Sequence, residues 1–452
     1  MVSTAQGNVL ILGAGLVTSP MVEYLLSIPG VKVTVATRTV SKAEKLIGDH
    51  PNGTAQRLLS SDQEALHEVI SKSDVVVSLL PAPQHPIVAE HCFQLKKHLV
   101  TTSYVSDKME AFHDQAKAAG LLFLNECGLD PGIDHMSAMK IIHQVHDEGG
   151  KVTGFRSLCG GLPAPEANNN PWGYKFSWSP KGVVRAGSNP GRFMIDKDTM
   201  DIPGKELFSS CERIDIHAVG EFECYPNRNS LPYVEKYQIP ETRTMFRGTL
   251  RNLGHCASWY HLSRLGLLAD EKQYDLKGVS PRAFLAKLIG IEDEEKIEEG
   301  ICSFLNIHET DPLFSKFRFI EFFSTTPLKL EQGTAADVLT EHLLEHLKYD
   351  EGERDMCVLH HIFDVTRADG SNIVITSTLD DYGIPYGHTS MARTVSLPAA
   401  MAVKLLLEER LKMTGVRIPV WPQLYEPIMT ELETVNIKFI EREKSLEISE
   451  SA

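Results

Sequence analysis

Residues 8–12 (NVLIL) form an unbroken apolar run that ends in Gly13-Ala14-Gly15-Leu16-Val17-Thr18; a helical pattern over 19–28 and a second apolar run at 32–36 follow. A strand that is apolar at every position must be covered on both faces, and a glycine turn leading straight into a helix carries the chain back over the sheet. That is a βαβ unit. Further strands are expected at 74–80, 98–102 and 121–124, with helices around 87–95 and 107–119. The first 125 residues therefore predict an α/β fold, a doubly wound parallel sheet.

In such sheets ligands bind beyond the carboxyl ends of the strands. Gly13 permits the tight turn and Gly15 lets a pyrophosphate approach the backbone. Leu16 and Val17 continue that turn, and the helix behind it offers free N–H groups. The third glycine of GxGxxG is replaced by Thr18. At the end of the second strand an NAD site would place an acid, but Thr37-Arg38-Thr39 stands there, followed by Ser41 and Lys42. A guanidinium with neighbouring hydroxyls pairs with a 2′-phosphate, so the expected cofactor is NADP. Ser78-Leu79-Leu80-Pro81 and Thr102-Ser103-Tyr104 end later strands and are expected at the nicotinamide end.

At 452 residues, with 42% hydrophobic and 23% charged residues, the chain is long enough for two or three domains. No apolar run approaches the roughly 20 residues that span a bilayer, and MVSTAQGNVLIL lacks a basic leader, so an unsecreted, cytoplasmic protein is expected. Eight cysteines at 92, 127, 159, 211, 224, 256, 302 and 357 form no CxxC pair, which favours reduced thiols over disulfides or zinc. Asn52-Gly53-Thr54 is then an idle sequon. With 45 basic against 60 acidic residues the net charge is -15, which makes nucleic acid and anionic membrane poor partners.

Beyond the sheet, residues 125–180 are rich in acids, amides, glycine and proline, which predicts mostly ordered loops serving a site. Residues 151–240 look mixed, with a strand at 151–159, and 266–349 read as an all-helical insertion. A hairpin is expected from strands at 355–365 and 371–377 around Ala368-Asp369-Gly370, and a long amphipathic helix at 391–411. His342-Leu343-Leu344-Glu345-His346 matches the HxxEH metalloprotease pattern, but no third ligand accompanies it, and no metal is expected.

GLDPGIDHM, CGGLPAPE, NPWGYKFSWSP, YPNR at 225–228, RGTLR at 247–251 and EGERDM at 351–356 together resemble the glutamate-forming saccharopine dehydrogenases. The resemblance implies an NADP-linked oxidoreductase of lysine metabolism that interconverts saccharopine, NADP and water with glutamate, α-aminoadipate semialdehyde and NADPH. It further implies a homodimer and two domains. A variant Rossmann domain is expected over 1–125 and 390–452. A mixed α/β substrate and dimerisation domain is expected over 126–265 and 350–389, with the helical insertion at 266–349.

Hydride loss next to a secondary amine, water attack on the imine and release of glutamate require at least one general acid/base. Tyr104, Asp130 and Cys159 match the family's positions around the reacting centre. Which of the three is the base stays open. Saccharopine carries three carboxylates, which Arg228, Arg247 and Arg251 suit as bidentate donors. Ser103, Asn170, Trp178, Ser179, Thr249 and Leu250 are the expected remainder of the substrate pocket. A non-catalytic NADP-binding sensor of the same fold, and a dehydrogenase of a related carboxyalkylated amine, are the alternatives.

Overall fold

The computed structural model describes residues 5–446, so the outermost ends of the expected nucleotide-binding domain lie outside the described residues. The chain begins β1 (Gly7–Leu12), α1 (Ser19–Leu26), β2 (Val31–Thr37), α2 (Val40–Ile47), β3 (Gly53–Arg57), α3 (Gln63–Ser71), β4 (Val75–Ser78), α4 (His85–Gln94), β5 (His98–Thr101), α5 (Asp107–Glu110), α6 (His113–Ala118), β6 (Leu122–Leu124) and α7 (Ile133–Asp147). It continues β7 (Lys151–Pro163), α8 (Pro180–Ala186), β8 (Gly191–Ile195), β9 (Asp198–Ile202), β10 (Glu212–Ile216), β11 (Gly220–Pro226), α9 (Pro232–Lys236), β12 (Thr244–Arg251) and α10 (His255–Arg264). Next come β13 (Tyr274–Asp275), α11 (Pro281–Ile289), α12 (Ile297–Leu305), α13 (Pro312–Phe319), β14 (Gln332–Gly333), α14 (Ala335–His346), β15 (Asp355–Thr366) and β16 (Asn372–Tyr382). The last elements are α15 (Ser390–Leu407), β17 (Gly415–Arg417), α16 (Pro422–Thr434) and β18 (Ile440–Ser445). Two units result, one of the residues up to Gly150 with Gly387–Glu441, the other of Lys151–Tyr386 with the residues from Arg442 on.

The first unit holds a seven-stranded sheet in the order β17-β6-β5-β4-β1-β2-β3, parallel throughout. The order reverses between β1 and β4, the switch point at which ligands bind in doubly wound sheets. Four of the six β1 residues and all of β4 are buried, as strands covered on both faces require. The edge strand β3 (GTAQR) is half-exposed and polar, so its sequence carries no strand signal. Helix α15 departs from the expected amphipathic form, because fifteen of its eighteen residues are buried. A helix that is apolar all round belongs inside a core, and its length and hydropathy alone would also suit a membrane span. Its polar residues are tolerated because Thr394 and Ser396 return their hydroxyls to the carbonyls of Ser390 and Ala392, each at 2.8 Å.

Residues 126–150, expected in the second domain, are compact with this unit. Residues 133–147 are helix rather than loop, since α7 buries ten of its fifteen residues and packs on α16. Burial on nearly every side erases the amphipathic period that would have revealed it.

The second unit is built on a mixed nine-stranded sheet, β10-β11-β12-β7-β15-β16-β18, with β8 beside β12 and β9 beside β8. The final strand, from Arg442, therefore joins this unit rather than the nucleotide-binding one. Strand β7 runs parallel to β12 and antiparallel to β15, and it continues through the glycines of CGGLP to Pro163. A Cβ on Gly160 would stand 2.8 Å from the Leu250 carbonyl oxygen, so glycine is what lets the two strands approach. The expected hairpin is present and longer, with β15 and β16 paired from Met356↔Tyr382 to Thr366↔Asn372. Helices α10 to α14 share one core with Trp172, Tyr174 and Phe208. The segment expected to be all-helical also holds a short strand pair, Tyr274↔Gly333 and Asp275↔Gln332. Beside it Thr334 and Asp337 form a reciprocal capping box that starts α14.

Candidate active site

In the first unit the cofactor residues gather at the switch point. Gly13 adopts φ +112°, and a Cβ there would lie 3.2 Å from the Leu79 carbonyl oxygen, so the turn admits only glycine. A Cβ on Gly15 would meet nothing within 4 Å, leaving its face open to an approaching phosphate. Thr18, at the third glycine position, closes the turn itself. Its hydroxyl accepts the Gly15 N–H at 3.0 Å, and its own N–H donates to the Gly15 carbonyl. Leu16 is exposed on the rim. At the tip of β2, Arg38 and Thr39 are exposed and Thr37 half-buried, and Lys42 is exposed one helical turn on. Among the described residues neither Arg38 nor Lys42 takes part in an ion pair, and no acid occupies that tip. The bare Gly15 face and the two free cations fit a dinucleotide bearing a 2′-phosphate.

His85, which the sequence reading passed over, ties these strand ends together. Its Nδ1 lies 2.9 Å from the Ser78 hydroxyl, and its Nε2 lies 2.8 Å from that of Ser103 and 3.1 Å from that of Thr101. Burial pushes its pKa down to about 4, so the ring is neutral and holds the hydroxyls by hydrogen bonding alone. The only sequence signal was a histidine shortly after SLLP.

Tyr104 and Asp130 come together, the phenol donating to Asp130 Oδ1 at 2.7 Å, and both are half-buried. A buried network holds the two loops. Glu126 donates its N–H to the Ser103 carbonyl and accepts the Val105 N–H on Oε1 at 3.0 Å, so it grips both neighbours of Tyr104. Its Oε2 meets His135 Nε2 at 2.8 Å, and Asp134 lies 3.4 Å from His135 Nδ1. Asp134 Oδ1 also accepts the Gly132 N–H at 2.5 Å, which anchors the turn that carries Asp130.

In the second unit strand alternation decides which side chains meet. Along β12, Arg247, Thr249 and Arg251 share one face, and Phe246 and Leu250 the other. Thr249 pairs with Cys159 on one side and Tyr225 on the other, so Cys159 and both arginines stand on the same sheet face. Arg251 is 5% exposed; its guanidinium lies 5.2 Å from the Tyr174 ring centre and 5.9 Å from that of Tyr225. Its Nη1 donates to the Leu250 carbonyl, while its buried Nε has no hydrogen-bond partner among the described residues. Arg247, 2% exposed, lies 4.4 Å over the Tyr233 ring. Burying the Arg251 guanidinium among aromatic rings, with its Nε unpaired, is costly unless an anion arrives to meet it. His255 stacks on Trp259 and Tyr225 and is held well below its usual pKa by burial and by Arg251, so it adds no competing charge.

Not every expected substrate residue joins that face. The Leu250 side chain is fully buried with Leu158, Leu162 and Ile216 on the opposite face, because its place in the strand alternation points it there. Arg228 is exposed and lines a cavity of about 460 Å³ with Arg192, Asp201 and Asn229. Asn170 spends its amide on its own loop, accepting the Trp172 N–H and donating to the Tyr174 carbonyl. Ser179 caps α8 by accepting the Gly182 N–H, and Trp178 is half-buried near the Tyr174 phenol. In the HxxEH pattern, His342 Nδ1 bonds the Ile320 carbonyl and Glu345 pairs with Lys329, so its members serve separate contacts.

Residues 9–124 match the family "Saccharopine dehydrogenase NADP binding domain", and residues 128–437 match "Saccharopine dehydrogenase C-terminal domain". The chain belongs to the saccharopine dehydrogenase family. Saccharopine dehydrogenase [NADP(+), L-glutamate-forming] of Schizosaccharomyces pombe is 38% identical over 443 residues, covering 96% of this chain and 98% of that one. The enzyme of the same name from Saccharomyces cerevisiae is 37% identical over 433 residues, covering 94% and 96%. The solved apo saccharopine dehydrogenase (L-Glu forming) from Saccharomyces cerevisiae superposes with a TM-score of 0.87 at 36% identity, over 97% of this chain and all of that one. Within this family the boundary between the two matched regions falls at 124–128, before α7, whereas compactness alone places α7 with the nucleotide-binding sheet.

Proposed function

We propose that this chain is an NADP-dependent oxidoreductase that interconverts saccharopine, NADP and water with L-glutamate, α-aminoadipate semialdehyde and NADPH in lysine metabolism. The observation that carries this reading is the likeness over nearly the whole length to NADP-dependent, L-glutamate-forming saccharopine dehydrogenases. Two sets of side chains support it, a Tyr104–Asp130 pair for protons and two buried arginines for carboxylates.

Gly13, Gly15, Leu16 and Val17 would cradle the pyrophosphate, and Thr37, Arg38 and Thr39 would hold the 2′-phosphate, with Ser78, Leu79, Leu80 and Ser103 beside the nicotinamide. When bound, the cofactor accepts a hydride from the substrate carbon next to the secondary amine. Asp130 takes the amine proton through Tyr104, because a short hydrogen bond already joins the two and hydride leaves only a neutral amine. That proton passes to solvent, and the re-ionised pair then deprotonates the water that attacks the imine carbon and hands the proton to nitrogen, so that glutamate departs as a neutral amine. Cys159 stands on the arginine face, where it tunes the polarity around the substrate rather than serving as base. Arg247 and Arg251 meet two carboxylates and fix the substrate's register.

The test is to mix purified protein with saccharopine and NADP and follow the absorbance of the reduced nicotinamide. No signal in either direction with either nucleotide removes the reading and leaves a sensor of the same fold. This reading extends to a homodimer working in the cytoplasm on small molecules, with neither nucleic acid nor membrane as partner, in keeping with the net charge of -15. Sedimentation at micromolar protein, where a single monomeric species is the adverse result, checks the assembly.

A further inference from the structure

We propose that Cys211, Glu223 and Cys256 form a site for one thiophilic divalent cation of the zinc class. Three separate segments deliver the donors: Cys211 follows the turn Gly204–Ser210, Glu223 lies in β11, and Cys256 sits in the first turn of α10. Their ligating atoms all lie within 4.8 Å of one another. A tetrahedral zinc ion, with Zn–S about 2.3 Å and Zn–O about 2.0 Å, holds its sulfurs roughly 3.8 Å apart, so only a small contraction closes this triangle on an ion. None of the eight cysteines is in a disulfide, so both sulfurs can serve as ligands once an ion displaces their protons.

The carboxylate is already aimed. Glu223 Oε1 accepts the Gly254 N–H at 2.8 Å and Oε2 the Cys256 N–H at 2.7 Å. Each oxygen keeps a second lone pair, and outer hydrogen bonds of this kind are what fix a metal-ligating carboxylate. Lys316, whose charge is felt at Glu223, gives its hydrogen bonds to the Gly254 carbonyl at 2.7 Å and the Ser258 hydroxyl at 2.6 Å. It thus leaves the remaining lone pairs of the carboxylate to the Cys256 thiol, whose proton an ion would displace. Cys256 is 2% and Glu223 8% exposed, whereas Cys211 is half-exposed, so an ion enters from the Cys211 side and a water completes the tetrahedron there. Binding replaces two thiol protons by two metal–sulfur bonds and releases both protons to solvent. The two cysteines are far apart in sequence and lack any CxxC spacing, which is why the pattern argued against zinc.

Cobalt reports the site directly. The full chain, reduced and kept free of oxygen, is titrated with Co²⁺ alone while the near-ultraviolet thiolate-to-metal band is followed, and Zn²⁺ is then added to displace it. One equivalent of cobalt should saturate the band, and one of zinc should abolish it. C211S, which alters the half-exposed thiol and leaves the core intact, should remove most of the band and weaken binding at least about 10-fold. E223Q should keep thiolate absorbance with an affinity about 10- to 100-fold lower. C302S, at another half-exposed thiol, should change neither. Circular dichroism of each variant separates lost binding from lost fold. Absence of a band in the parent chain, or a band that keeps its full intensity and affinity in C211S, overturns the site. So does cross-linking of Cys211 to Cys256 by a small disulfide reagent in a protein that gives no cobalt band, since the pair would then be a plain dithiol.

Discussion

The two sets of functional side chains are held in place by different physics. Tyr104 and Asp130 sit on loops at strand ends, and what fixes them is a buried hydrogen-bonded network, Glu126–His135–Asp134, reaching the backbone on both sides. Arg247 and Arg251 sit within a strand, and what fixes them is sheet register and the aromatic rings of Tyr233, Tyr174 and Tyr225. The first arrangement depends on a few hydrogen bonds to charged groups, each costly to lose. The second is spread over many backbone pairs, so single side chains can be exchanged with little loss of fold. Proton handling should therefore be fragile toward changes in supporting residues, and carboxylate binding fragile only toward changes in the arginines themselves.

Asp130→Asn tests the proton pair most directly. It retains an acceptor for the Tyr104 hydroxyl but no base, so kcat should fall about 10²- to 10⁴-fold while the urea midpoint barely moves. A loss under 10-fold removes Asp130 from the relay. Glu126→Ala leaves His135 and Asp134 buried without their partner and should destabilise the chain by about 3–5 kcal/mol. If equilibrium unfolding shows less than about 1 kcal/mol, the network is not what holds the loops. Arg251→Leu should raise KM by roughly 30- to 10³-fold with a smaller effect on kcat and almost none on stability, because an apolar residue suits its surroundings. A large stability loss with KM unchanged would reverse the contrast drawn above.

Titration supplies the next comparison, since each unit holds one histidine that burial pushes down to about 4, His85 and His360. The unfolded chain takes up those protons near pH 6.5 and the folded one only near 4, so the stability each site contributes is intact above pH 6.5 and falls as pH drops from 6.5 to 4. The loss reaches at most about 3 kcal/mol per site. H85N and H360N should each flatten part of that slope, and a parent chain equally stable at pH 7 and pH 4.5 contradicts both. The smallest effect belongs to Arg38→Asp, which should move preference from NADP toward NAD by about 10- to 100-fold, read as the ratio of kcat/KM values. An unchanged ratio moves the 2′-phosphate contact elsewhere.

The legible parts of the molecule were those whose local pattern and final environment agree. β1, the glycine turn, α1 and β2 follow from apolar runs and turn chemistry alone, and the hairpin of β15 and β16 from its Ala368-Asp369-Gly370 turn. Helix α7 was illegible because its Asp134 and His135 are buried in a hydrogen-bonded network that makes a core helix look like a polar loop. The CGG strand was misread as loop because its glycines serve close strand approach rather than a bend. For the site, residue types and motifs pointed to Tyr104, Asp130, Cys159 and the arginines, but only strand alternation placed Leu250 on the opposite face. His85 escaped because its role exists only between strand ends.

By itself, then, the chain's order of residues determined the parallel sheet, the dinucleotide turn, the preference for a 2′-phosphate and the family, since these rest on short-range patterns and motifs. Tertiary structure alone decided which carboxylates and thiols become neighbours: Glu126 with His135, Tyr104 with Asp130, and Cys211 with Cys256 across Glu223. The reason is that such contacts join residues far apart in sequence, whose proximity no periodicity encodes, and whose charge states follow from burial that only packing creates.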